Sequence, residues 1–342
     1  MTERCGSRTS PPQRTNIRSV SSAAPEGYTA RAVTRDDVSS CTALAERYDR
    51  GLGLEPYPMR SFLEWIVQLS WIDLGRDTVV VERDGAVAAF GFAMRDPASE
   101  ASDMLWFGMV DPPDQGRGLG SWLVGWAHGL IEERSAEEGA FIVRSEFPAQ
   151  DARAHELFAR AGYGHVRTNW DMARPVDEPL DHPAAPDGVT IRSFEEGRDE
   201  RTWWSVAEAA FSDHFGFAPA PYASWANEWY EQDEWDPSRV LLAEADGEVV
   251  GELGWVKNGT DGYIASLGVL ARHRRRGIGS TLLRHAFADI AAAGFPRATL
   301  TVDTGNTTGA VGLYRSVGME PIREGHVFER GAARARLAPN EI

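Results

Sequence analysis

Short, largely apolar runs over Val240 to Glu244 and Glu248 to Val256, separated by a turn signal, predict the two antiparallel strands of a hairpin. The intervening Ala245-Asp246-Gly247 is the turn, since Asp and Gly tolerate the left-handed backbone of a tight hairpin. An apolar run from Tyr263 to Leu270 predicts a third, longer strand. A glycine-rich stretch follows and opens a helical pattern from about Gly279 to Ala293. Another strand, a helix from about Thr308 to Val317 and a last strand complete the unit, while a strand near Val189 and two helices precede it. The class is mixed α/β.

The same pattern occurs earlier in the chain. Tyr28-Thr29-Ala30-Arg31 answers Val189-Thr190-Ile191-Arg192, and Glu82-Arg83-Asp84-Gly85 answers Glu244-Ala245-Asp246-Gly247. Gln115 to Gly120 (QGRGLG) answers Arg274 to Gly279 (RRRGIG), and the segment around Phe158, Gly162 and Tyr163 answers that around Tyr314, Gly318 and Met319. The offsets lie between 156 and 162 residues, so the chain is a duplicated unit. The expected organisation is a flexible Ser-, Arg- and Pro-rich tail over 1–26, a first domain over 27–174, a Pro-rich linker over 175–188, a second domain over 189–331 and a short tail over 332–342.

Composition narrows the function classes. A length of 342 residues with 42% hydrophobic side chains supports two cores. The net charge of −16 disfavours general nucleic-acid binding and attachment to anionic lipid. With no apolar run long enough to span a bilayer and no signal-peptide core, a cytoplasmic protein is expected. Cys5 and Cys41 are the only cysteines and are expected as free thiols; no His/Cys/Asp spacing predicts a metal.

Arg274-Arg275-Arg276-Gly277-Ile278-Gly279-Ser280 lies between a strand and a helix start. Glycines let the backbone approach an anion, and the first N–H groups of the helix have no internal partner, so a phosphate is the natural guest. The spacing is neither a Walker motif nor a Rossmann fingerprint. Strand, Arg/Gln-x-x-Gly-x-Gly, helix, strand, then Asn306, Ala310, Leu313-Tyr314 and Gly318 together resemble the GNAT superfamily of acyl-CoA-dependent N-acyltransferases. The resemblance covers both copies and is densest from Leu267 to Met319; the tandem arrangement is similar to the mycothiol synthase family and related two-domain actinobacterial acetyltransferases. It implies two tandem domains, each a mixed, largely antiparallel sheet flanked by helices.

The resemblance also implies roles. Backbone groups of Leu267, Gly268 and Val269 would pair with the pantetheine arm, with the Val269 N–H as oxyanion donor; Arg274 to Ser280 would wrap the CoA pyrophosphate, Asn306 would hold the pantetheine side, and Tyr314 would protonate the leaving thiolate. Many relatives carry a carboxylate on the long strand where this chain has Ser266, so the base is open among Glu252, Asp303 and His214, with Glu252 foremost. Copy one keeps Met109, Val110, Gln115, Gly116, Arg117, Gly118 and Gly120 as a candidate second CoA site, but has Phe158 at the Tyr314 position. Copy two is therefore expected to catalyse and copy one to be degenerate.

The expected reaction moves acetyl, or another short acyl group, from CoA to a primary amine of a small molecule in a ternary complex. Glu228 to Asp236, with interleaved carboxylates and aromatics, is the expected acceptor wall and suits a cationic amine, its bland alternative being a solvated helix end; one of Trp203 and Trp204 should face a groove or the other domain. Two alternatives stand beside this: a catalytically inactive CoA-binding regulatory or scaffold protein, and an acyltransferase using a carrier-protein donor. A monomer with pseudo-twofold domain pairing is expected.

Overall fold

The computed structural model describes residues 23–95, 103–139, 142–176, 180–212, 214, 217, 219–230, 235–306 and 308–331. Residues 1–22 with Cys5, residues 332–342 and residues 231–234 of the expected acceptor wall lie outside the described residues.

The first repeat runs β1 (Thr29–Arg31), α1 (Val38–Gly51), α2 (Met59–Ile66), α3 (Leu74–Asp77), β2 (Thr78–Arg83), β3 (Ala86–Met94), β4 (Asp103–Val110), α4 (Leu119–Glu138), β5 (Ile142–Pro148), α5 (Ala152–Arg160) and β6 (Gly164–Pro175). The second runs β7 (Val189–Ser193), α6 (Glu200–Phe211), α7 (Tyr222–Tyr230), β8 (Val240–Ala245), β9 (Glu248–Asn258), β10 (Asp261–Val269), α8 (Ile278–Ala292), β11 (Arg297–Asp303), α9 (Ala310–Ser316) and β12 (Glu320–Gly331). Both expected hairpins turn on an Asp-Gly pair at positive φ, 52° and 80° at Asp84-Gly85 and 53° and 80° at Asp246-Gly247.

The two expected sheets are one. The 12 strands form a single sheet in the order β1-β2-β3-β4-β5-β12-β6-β11-β10-β9-β8-β7. Replacing every strand by its counterpart in the other repeat reverses the list, which is pseudo-twofold symmetry written in topology. The closing strands are exchanged: β12 pairs with β5 of the first repeat, β6 pairs with β11 of the second, and β6 and β12 pair with each other at the centre. Each repeat thus covers the other's open edge, and edge strands are what unpaired chains aggregate through.

Alternation sorts the side chains onto two faces. Leu241, Ala243, Leu300 and Met172 pack with Leu282, Ala286 and Phe287 of α8, and Val79, Val81 and Phe328 pack with Leu123 and Trp126 of α4. Leu242 and Val240 meet Trp203 and Trp225 of α6 and α7, and Val80, Phe90 and Phe92 meet α1 and α2 on that opposite face. Across the seam, Asp49 of α1 accepts from Arg323 at 2.7 Å, Glu55 from Arg297 at 3.0 Å, and Ser61 Oγ from the Gly259 N–H at 3.1 Å. Cys41 is a buried free thiol within the α1–α2 core.

Because β5 and β11 both lose a partner when the repeats are separated, residues 23–176 produced alone are expected to self-associate or aggregate. Light scattering coupled to gel filtration checks this; a folded monomer of that fragment would show that the exchange is dispensable.

Candidate active site

β10 and β11 are parallel neighbours but remain paired at only two positions, Gly262 with Ala298 and Tyr263 with Thr299. Beyond them the strands part, and a cavity of about 390 Å³ occupies the wedge. Ile264 to Val269 line one wall and Leu300 to Asp303 the other. A β-bulge at Ala265, between the registered positions Ile264 and Ser266, re-aims β10 where the wedge opens. The β11-facing edge of β10 is therefore a row of backbone groups without a strand partner, placed along a cavity.

The glycine-rich loop closes one end. Gly277 caps α8 with φ 84° and no side-chain hydrogen bond, so the first N–H groups of a 15-residue helix stay available to an anion. Arg275 at φ 61°, Gly277, Ile278, Gly279 and Ser280 all line the cavity. Arg274 lines the cavity as well and also braces the loop. Its Nε donates to the Val269 carbonyl at 3.0 Å and its Nη2 to the Ala210 carbonyl at 3.0 Å, which ties the loop to the strand end and to α6. Arg276 lies outside the lining set and contacts His273 Nδ1 at 2.9 Å.

Asn306 and Tyr314 reach the cavity from the opposite side. Asn306 Oδ1 accepts from the Thr308 N–H at 2.7 Å, shaping the turn before α9. Tyr314 is half-buried; burial and the negative charge of nearby groups push its hydroxyl up to about 12, so it holds its proton at neutral pH.

Glu252 on β9 is fully buried and does not line the cavity. Its Oε2 accepts from Trp203 Nε1 at 2.9 Å and its Oε1 from Ser266 Oγ at 2.8 Å, with the Gly268 N–H a third donor. Burial outweighs these donors and pushes the carboxyl up to about 7. Gly268 is required here, because a Cβ would sit 2.7 Å from Glu252 Oε1 and 2.8 Å from Ala210 Cβ. Ser266, by contrast, lines the cavity. The expected gap at that strand position is filled by a two-residue unit, hydroxyl in front and carboxyl behind.

A second cavity of about 50 Å³ adjoins the first through Leu300 and Thr301. Both repeats build it: Tyr57, Pro58 and Asp171 come from the first, Tyr263, Thr301 and Arg323 from the second. Thr301 Oγ1 donates to Asp171 at 2.7 Å, and Asn169 Nδ2 to Glu146 at 2.9 Å on the same sheet face. Burial holds Asp171 above the ordinary carboxylate range, and crowding by protein pushes Glu146 up to about 6 although its side chain touches solvent. The cationic Arg323 beside them is already paired with Asp49. Glu55, Asp171 and Asp261 line this chamber against Arg297 and Arg323, a formal excess of one carboxylate. Sequence reasoning missed it, since Glu146 and Asp171 lie in the other repeat from Tyr314.

The expected acceptor wall is partly elsewhere. Trp229 and Trp235 belong to an aromatic cluster around Trp203, and Trp204 Nε1 donates to the Ala220 carbonyl at 3.0 Å within its own repeat. Neither Trp203 nor Trp204 reaches the first repeat. Of the other candidate bases, Asp303 and His214 line the cavity; Asp303 Oδ1 accepts from the Gly305 N–H at 2.8 Å.

The first repeat keeps the loop and changes the wedge. Gly116 and Gly118 have φ of 77° and 88°, as Arg275 and Gly277 do, and Gly118 caps α4. Gln115 Nε2 donates to the Val110 carbonyl at 3.3 Å, the bond that Arg274 makes to Val269, and Arg117 leans towards Asp114 at 3.9 Å. Gly120 packs on Leu157 as Gly279 packs on Leu313. Yet β4 runs without a bulge, with Met109 opposite Phe90 and Val110 opposite Ala89. Phe90 thus stands where the second repeat has Glu252, and Phe158 where it has Tyr314. Trp106 stacks on Phe158 at 5.3 Å, both buried between β4, β5 and α5.

A splayed parallel pair beside a glycine-capped helix gives the cavity a free strand edge and an end suited to an anion, and comparison with known proteins places the chain. Residues 203–319 match the Acetyltransferase (GNAT) family. Mycothiol acetyltransferase of Thermobispora bispora is 34% identical over 67% of this chain and 75% of its own length, and that of Thermomonospora curvata 31% identical over 84% and 91%. The crystal structure of a GCN5-related N-acetyltransferase from Sphaerobacter thermophilus superposes with a TM-score of 0.78 at 30% identity, covering 91% of this chain and 97% of that one. The chain belongs to the GNAT family: it is an N-acetyltransferase homologous to mycothiol acetyltransferases, and the family uses an acyl-CoA co-substrate.

Gly268→Ala is expected to cost about 1–3 kcal/mol through overpacking against Glu252 and Ala210, read as a shift in the denaturant midpoint. Glu252 holds a proton in the folded protein that the unfolded chain releases, so its contribution to stability falls as pH rises from about 4.5 to about 7. Glu252→Gln should flatten that part of the stability profile, measured by urea unfolding across the window.

Proposed function

We propose that the chain transfers acetyl from acetyl-CoA to a primary amine of a small molecule by direct attack in a ternary complex, with chemistry confined to the second repeat. The observation that carries the reading is the wedge between β10 and β11, with a helix start at one end and the Tyr314 hydroxyl in its wall. The β10 edge from Leu267 to Val269, which has no partner on β11, suits the amide-bearing pantetheine arm, and the Gly277 to Ser280 helix start suits the pyrophosphate. Tyr314, protonated at neutral pH, is the acid for the departing thiolate.

The amine is assigned to the carboxylate-rich chamber at the seam. There Asp171 supplies an acceptor on the first repeat's side, while Tyr57 and Tyr263 supply apolar walls with hydroxyl tips. The likeness to mycothiol acetyltransferases makes a mycothiol precursor amine the first acceptor to test, ahead of other amino sugars and polyamines. The aromatic fill around Phe158 supports reading the first repeat as a scaffold that lends walls to the acceptor site.

Calorimetric titration with acetyl-CoA is expected to give one site, lost in Gly277→Glu; two sites would return a cofactor role to the first repeat, and none would move the donor to a carrier protein or the function to a non-enzymatic one. Tyr314→Phe should lower kcat by about 100-fold with little change in acetyl-CoA affinity. Asp171→Asn should raise KM for the amine while leaving the acetyl-CoA Kd unchanged, read from initial rates of thiol release.

A further inference from the structure

We propose that Ser266 is the proton relay of the reaction, taking the proton of the attacking amine into the cavity-facing hydroxyl and passing its own to the buried carboxylate of Glu252. The inference rests on the acetyltransferase reading above and adds to it a residue with a defined task. Three observations carry it. Glu252 has no exposed surface and does not line the cavity, so no acceptor touches it. Ser266 lines the cavity and binds Glu252 Oε1 at 2.8 Å. The bulge at Ala265 and the missing side chain of Gly268 bring the hydroxyl and the carboxyl together, and the first repeat, which lacks the bulge, has Phe90 at the Glu252 position.

The proton inventory balances. The amine nitrogen bonds to the thioester carbon, its surplus proton moves to Ser266 Oγ, and the Ser266 proton moves to Glu252 Oε1. Collapse of the adduct breaks the carbon–sulfur bond, and sulfur takes the Tyr314 proton. Glu252 ends protonated and Tyr314 ionised; exchange with water in the open cavity resets both. Around Glu252 stand Trp203 and Ala210 from α6, Ser266 and Gly268 from β10 and Leu242 from β8, and Tyr314 on α9 is the titratable group whose charge couples to it. Trp203 holds Oε2, so the proton is directed to Oε1, the oxygen that faces Ser266.

The test uses the full chain with acetyl-CoA and a panel of glucosamine, spermidine and an amino-acid amide. Ser266→Ala should lower kcat by about 100-fold with unchanged acetyl-CoA binding and remove the rate limb that rises near neutral pH, while Ser266→Thr keeps the hydroxyl and stays within a few-fold of wild type. Ser266→Ala combined with Glu252→Gln should be no slower than either alone, because the two act in one path. A readout free of turnover accompanies it: infrared titration of carbon-13 glutamate protein, with Glu252 assigned by loss of its band in Glu252→Gln. There Ser266→Ala should raise the Glu252 midpoint by about one unit, as a lost donor to the charged form does. Wild-type rate and pH limb in Ser266→Ala would overturn the relay alone. Failure of the wild-type protein to release thiol with any of these amines and with a mycothiol precursor would overturn the acetyltransferase mechanism and the relay with it.

Discussion

The parting of β10 from β11 is the constraint on which the rest of the molecule depends. A parallel pair that stays bonded at two positions and then separates leaves backbone groups that must be satisfied by water or a ligand. The fold tolerates this because the other edge of β11 is held by an exchanged strand. β6 from the first repeat takes the far side of β11, β12 takes the free side of β5, and the two close on each other. Exchange of these strands brings the first repeat's Asp171 beside Thr301 at the wedge margin.

Duplication supplied two such wedges and the side chains made them unequal. The glycine-capped helix starts remain superimposable in backbone angle, 88° at Gly118 against 84° at Gly277. What differs lies in the strands. One extra residue at Ala265 turns Ser266 towards Glu252, whereas the regular β4 carries Trp106 into a stack with Phe158. A polar, partly open wedge and an aromatic, filled one follow from one bulge and three substitutions. The first repeat buries Trp106 and Phe158 there, while Glu252 stands behind the open wedge as a buried carboxyl pushed up to about 7.

Much of this was legible in the amino-acid sequence. Hairpin turns, the glycine-rich helix start and the two-copy organisation depend on local chemistry, so Asp84-Gly85, Asp246-Gly247 and Gly277 declare themselves by residue type. Tyr314 was legible through resemblance, because Asn306, Ala310, Leu313 and Gly318 around it resemble the pattern of the GNAT family. What the sequence did not show at Arg274 is its bonding to the carbonyls of Val269 and Ala210, which lie far from it in the chain or on another element.

Local patterning by itself determined the elements, their duplication and the class of chemistry, since each rests on residues within a few positions of one another. Only tertiary structure decided that the two sheets are one, that Ser266 leans on Glu252 across a bulge, and that Asp171 of one repeat bonds Thr301 of the other at the wedge margin. Those relations join residues far apart in the chain, and which edge a strand chooses is set by the edges left open elsewhere, a property of the whole sheet that no segment carries alone.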